Sequence, residues 1–132
     1  MQHESPFAIV QAWQDAANSQ NIDRLVELSA PDIEVVGPRG SGRGTQLLRD
    51  WLGRAGLQLT TLRAFARSNS VVLAQHGVWR SLETGEVTGE RDLASHFQVA
   101  GHRVAQFARH GSLDVALNEA DVSYSDEIPV SS

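Results

Sequence analysis

The stretch Val35–Gly44, VVGPRGSGRG, puts four glycines and two arginines into ten residues. That is the composition of a loop that cradles phosphate, in which glycines free the backbone N–H groups and a cation stands near. One ingredient is missing. All eleven basic residues are arginine, so the chain has neither a Walker-type phosphate lysine nor a lysine for Schiff-base chemistry. GSGRGT has the GxGxG spacing, but the chain after it reads as antiparallel strands rather than βαβ units. The expectation is a turn-rich crossing, with Arg39 and Arg43 either solvated or forming a cationic rim for an anionic ligand. His76, His96 and Asp92 are the types found in a two-His-one-carboxylate metal site. Strand pairing brings Asp92 towards His76 and leaves His96 further along, so no metal site is assigned. Cysteine is absent, which excludes disulfides and thiolate ligands. No cofactor is implied.

These residues must be positioned by one domain, since 132 residues with 41% hydrophobic content can bury a single sizeable core. A formal net charge of −5 argues against nonspecific nucleic-acid binding. No apolar run approaches the roughly 18 residues of a membrane span. MQHESPFAIV shows no basic start or apolar core of a signal peptide, so a cytoplasmic protein is expected.

Ser5 and Pro6 start a helix, with Phe7, Val10, Trp13 and Ala17 at helical spacing. Asn21 caps a short second helix that Pro31 stops. DIEVV is a strand, and Leu47, Leu48, Trp51 and Leu52 mark a third helix closed by Gly53 and Gly56. From Leu57 the period changes to two. Four strands are predicted at about 57–67, 70–82, 86–99 and 102–110, with turns at RSNSV, Gly85 and Gly101. SLDVALNEA is a last helix capped by Ser112. A polar tail, read as frayed, follows over 121–132. Three N-terminal helices before a mostly antiparallel, strongly curved sheet define an α+β fold, with a single domain over 1–120 and a cone-like pocket at the wide end.

FAIVQAWQDAANSQNIDRLVELSAPDIEVVGPRG resembles the opening of the nuclear transport factor 2-like, or SnoaL-like, superfamily. ASHFQVAGHRVAQFARHGSLDVALNEA is similar to its closing hairpin and terminal helix. The resemblance covers residues 6–120. It implies a cone that binds a small hydrophobic or amphipathic molecule, as well as a homodimer through the outer sheet face. Some relatives are isomerases, hydrolases or polyketide cyclases. The ketosteroid isomerase branch uses an aspartate base, a tyrosine and a protonated aspartic acid. On this chain the matching positions hold Gly37, Trp13 and Ser95, so no isomerisation of a Δ5-3-ketosteroid is expected. The cyclase branch implies an acid near His110. The epoxide hydrolase branch needs an Arg-x-Asp pair, whereas Arg91 and Asp92 are adjacent and strand alternation sends them to opposite faces.

If Ser95 faces inward, so do Arg91, Leu93 and Phe97, and the hairpin brings Leu73, Gln75, Gly77 and Trp79 to the same face. The expected ligand-binding set is Trp13, Trp51, Gln75, Trp79, Arg91, Ser95 and Phe97. Arg91 is the polar point for an acidic group. The opposite face carries Val72, Ala74, His76, Val78, Asp92, Ala94 and His96, apolar enough to need cover and with no helix left to supply it. The favoured reading is a stand-alone binder of a small, largely apolar molecule. Its alternatives are an enzyme with a non-standard set, using His110 or Asp50 as base, and a protein-interaction module.

Overall fold

The computed structural model describes residues 5–37, 40–54 and 56–130. Ser5 accepts from the Ala8 amide at 3.1 Å and opens helix α1, Pro6–Asn18. Asn21 accepts from the Arg24 amide at 3.2 Å and opens α2, Ile22–Glu27. Strand β1 is Ser29–Gly37, β2 is Gly40–Arg43, α3 is Thr45–Arg54 and β3 is Leu57–Arg67. Then come β4, Ser70–Arg80; β5, Val87–Ala100; β6, Arg103–His110; and α4, Leu113–Ala120. A two-residue β7, Glu127–Ile128, follows a short 3₁₀ turn. The order across the sheet is β2-β1-β6-β5-β4-β3-β7. Only β1 and β6 pair in parallel, so this is an α+β fold with a mixed, seven-stranded curved sheet.

The four central strands fall close to the expected positions. Gly85 and Gly101 take the left-handed backbone their hairpins require, at φ 76° and 64°. Three expectations are corrected. Pro31 does not stop α2; the helix has already ended and Pro31 lies in β1, which begins at Ser29. The glycine-rich stretch is not a crossing loop but an antiparallel hairpin, in which Gly37 pairs with Gly40 and Glu34 with Arg43. Pro38 and Arg39, at its tip, lie outside the described residues. The segment after Asp121 does not fray through Ile128. Glu127 pairs beside Phe65 at the sheet edge, and Arg63 grips its carboxylate through Nε at 3.0 Å and Nη2 at 2.8 Å.

α1 lays Ile9, Val10, Trp13 and Ala17 onto one face of the sheet, against Leu73, Phe97, Val104 and Phe107. Trp13 meets the Phe97 ring edge-on at 5.5 Å between centroids, and Phe107 lies at 5.0 Å. Asn18 clamps the end of α1 to β3, donating to the Leu59 carbonyl and accepting from the Leu59 amide, both at 2.8 Å.

The other sheet face was expected to lack a helix. Instead α4 covers it: Ala116, Leu117, Ala120 and Val122 bury Phe65, Val72 and Ala94. A single turn at Gly111-Ser112 carries the chain from β6 over that face. The strip left open holds Ala74, His76 and Val78, all half-buried.

Candidate functional site

Register places four chemistry-bearing positions on the α1 side of the sheet. On β5, Phe97, Ser95, Leu93 and Arg91 share the parity of Phe97, which packs on Trp13. Gly77 on β4 is opposite Arg91, and Trp79 is opposite Gly89. On β6, Arg109 is opposite Ser95 and Phe107 opposite Phe97. Towards α1 these positions are sealed by the core. At the other end they open into a cavity of about 330 Å³ lined by Val36, Gly37, Trp79, Arg91, Leu93, Arg109, His110 and Gly111.

The apolar floor is Leu93 and Trp79, which pack with Leu57 and Leu59 behind them. Gly77 lies among them because a side chain has no room: a Cβ there would meet Leu93 Cδ2 at 2.9 Å and Leu57 Cδ1 at 3.3 Å. Gly56 is fixed by a closer approach still, since a Cβ would fall 2.0 Å from the Arg80 carbonyl oxygen.

Two guanidinium groups form the polar wall. Arg109, half-buried, stands with its guanidinium carbon 5.8 Å from the Trp79 ring centroid. Arg91 is more exposed and lies along Gly111, where a Cβ would come 3.7 Å from Nη2. Among the described residues neither forms a salt bridge. Burial, and then the positive charge of Arg91, lower the Arg109 pKa from its ordinary value. Among the described residues no carboxylate lines the cavity.

Of the residues expected to bind ligand, Trp79 and Arg91 line this cavity. Trp13, Gln75, Ser95 and Phe97 are buried in the core beside it. The Trp13 indole N–H is occupied, donating to Ser29 Oγ at 2.9 Å, which in turn donates to the Leu25 carbonyl at 2.7 Å. Ser95 Oγ donates to Gln75 Oε1 at 2.6 Å, Gln75 Nε2 donates to Gln14, and Gln14 Nε2 donates to Thr61 Oγ1 at 2.9 Å. These polar groups satisfy one another instead of facing a ligand. The side chain of Trp51 lies outside the described residues.

Of the two bases considered, Asp50 is exposed and accepts from Gln46 Nε2 at 3.0 Å. His110 lines the cavity, but its Nε2 is sealed from solvent and has no hydrogen-bond partner. It pairs with Ala94, a position that α4 covers, so this nitrogen is not open to a substrate in the cavity. Gly37 lines the wall where the isomerase resemblance puts the carboxylate.

His76 is held between Asp92, at 2.8 Å from Nδ1, and Glu90, at 3.0 Å from Nε2. His96 is buried apart from them and contacts Gln98 Nε2 at 2.8 Å. Among the described residues no three metal-ligating side chains are grouped to hold an ion. Arg43 is directed to solvent with Glu34 3.9 Å away, outside the cavity.

Sequence reasoning missed Arg109 and Gln14. Regular pairing through the Gly101 turn would set Ala108 opposite Ser95; a register shift between Gln98 and Val99 brings Arg109 there instead, and period two gives no sign of it. Gln14 sits four residues from Val10 and three from Ala17, on the apolar stripe of α1.

No family model and no curated protein matches the chain. Solved structures do, across nearly its whole length. A nuclear transport factor 2-like protein of unknown function from Cytophaga hutchinsonii superposes with a TM-score of 0.71 at 12% identity, covering 87% of this chain and 96% of its own. TerC, co-crystallised with polyporic acid, gives 0.70 at 18% identity, over 88% and 98%. A protein of ketosteroid isomerase-like fold from Catenulispora acidiphila, in complex with trimethylamine, gives 0.67 at 20% identity, over 92% and 97%. The chain has the nuclear transport factor 2-like fold. Among the described residues no helix is long and apolar enough to cross a membrane.

Proposed function

We propose that this protein is a stand-alone binder of a small, largely apolar molecule, held in the cavity against Trp79 and Leu93 with Arg91 at its polar end. One observation carries the reading: the cavity of about 330 Å³ has an apolar floor and a few placed donors, the usual composition of a small-molecule site. The neighbours crystallised with polyporic acid and with trimethylamine support small-molecule binding by this fold. A homodimer is proposed on the strip α4 leaves open, at Ala74, His76 and Val78. Sedimentation of the wild type and of Val78→Glu reads it out, and a wild-type monomer at micromolar concentration removes it.

The test of the binding reading is titration with 2-naphthoate and 2-naphthamide, followed by tryptophan fluorescence and calorimetry. Binding with a fluorescence change that Trp79→Phe abolishes is expected. Failure of both probes to bind at millimolar concentration overturns the proposal.

A further inference from the structure

We infer that Arg91 and Arg109 act as a pair that takes one oxyanionic group between them, so that the ligand is an organic acid with an apolar body. The inference rests on the cavity being a small-molecule site and adds the chemical class of the occupant. The two side chains come from neighbouring strands. Arg109 is opposite Ser95 and Arg91 lies four residues before Ser95 on β5, so both project on one face at the open end. Arg109 is steadied over Trp79, and Arg91 runs alongside Gly111.

Two like charges that share one wall repel one another, and the half-buried Arg109 also loses hydration. Such an arrangement is unfavourable unless an anion joins it. A shortage of acids does not explain it, because the chain carries sixteen Asp and Glu against eleven Arg. The acid next in sequence, Asp92, is engaged with His76 on the opposite face. Leu93 and Trp79 give the lining an apolar surface beside the two guanidinium groups, which suits a hydrocarbon or aryl body. A guanidinium fork matches a carboxylate or a phosphate edge, and the two share the chemistry inferred here.

The experiment compares 2-naphthoate, 2-naphthyl phosphate and uncharged 2-naphthamide by calorimetry on the wild-type protein and on Arg91→Gln and Arg109→Gln. At least one acid should bind roughly 10–100-fold more tightly than the amide, the range for hydrogen bonds to a charged group. Which acid leads identifies the source of the oxyanion. Each substitution should remove most of that preference while amide binding persists. Equal binding of acids and amide by the wild type overturns the pair and leaves the cavity reading standing. A preference that survives both substitutions also overturns it. Failure of all three probes overturns the cavity reading itself.

Discussion

Ser95 Oγ donates to Gln75 Oε1 at 2.6 Å, and both residues are fully buried between α1 and the sheet. The bond is one link in a chain that runs through Gln14 to Thr61. Removing a middle member strands its neighbours, because water cannot reach them. Gln75→Leu should therefore destabilise the fold by about 1–3 kcal/mol, the cost of leaving buried polar groups unpaired. Urea unfolding measures this. An unchanged midpoint with an unchanged slope would show that the network contributes nothing.

How much was legible in the sequence follows from where local pattern and tertiary structure agree. β3 to β6 follow period two between the turns at RSNSV, Gly85 and Gly101, which located them even though each pairing carries a register shift. β1 was cut short because it pairs in parallel with β6 through a shift between Ser29 and Glu34, and Pro31 within it resembles a helix stop. β7 is two residues long and is held by the Arg63–Glu127 ion pair, which leaves no periodic trace. The inward parity of Trp79 and Arg91 was readable from one hairpin. That Ser29 would satisfy Trp13, and that Gln14 would join Gln75 and Ser95, was not, because hydrogen-bond partners on separate elements leave no local pattern.

His76 sits between two carboxylates, and its pKa is raised above the ordinary 6.5, first by the hydrogen bond to Asp92 and then by that to Glu90. The folded state thus holds this proton more tightly than the unfolded chain. The stabilisation is fully present below about pH 6.5 and is lost as pH rises through the folded-state value. In a proton NMR titration the His76 midpoint should lie above the ordinary 6.5, and Asp92→Asn should lower it. A midpoint unmoved by that substitution contradicts the assignment.

His96 behaves in the opposite sense. Burial beneath α4 lowers its pKa from 6.5, helped by the nearby His110 and opposed by Glu119. The unfolded chain then takes up the proton first as pH falls. The contribution of neutral His96 is complete above about pH 6.5 and declines as pH drops towards the folded-state value. Urea midpoints of the wild type should fall between pH 7.5 and pH 5 by more than those of His96→Gln, whose amide does not titrate. Parallel declines in the two proteins would assign the pH dependence to other groups, such as the acids.

Gly37 offers the sharpest test of the cavity's charge. A Cβ built there meets nothing within 4 Å, and its φ is not in the left-handed region, so Gly37→Asp fits without strain. Gly37 shares strand parity with Ile33 and Val35, which pack on the inner core, so the new carboxylate enters the cavity. There it faces two arginines that form no salt bridge in the described structure. It should pair with them as an internal anion and compete with a bound one. The expected result is a loss of roughly 10–100-fold in 2-naphthoate affinity, comparable with deleting a charged hydrogen bond. Binding of 2-naphthamide should change far less, since the apolar floor of Leu93 and Trp79 is untouched. Gly37→Asn supplies a control of nearly the same size without the charge, and it should retain most of the affinity for the acid. If Asn and Asp weaken the acid equally, the effect is steric and the cationic wall does not govern what the cavity holds.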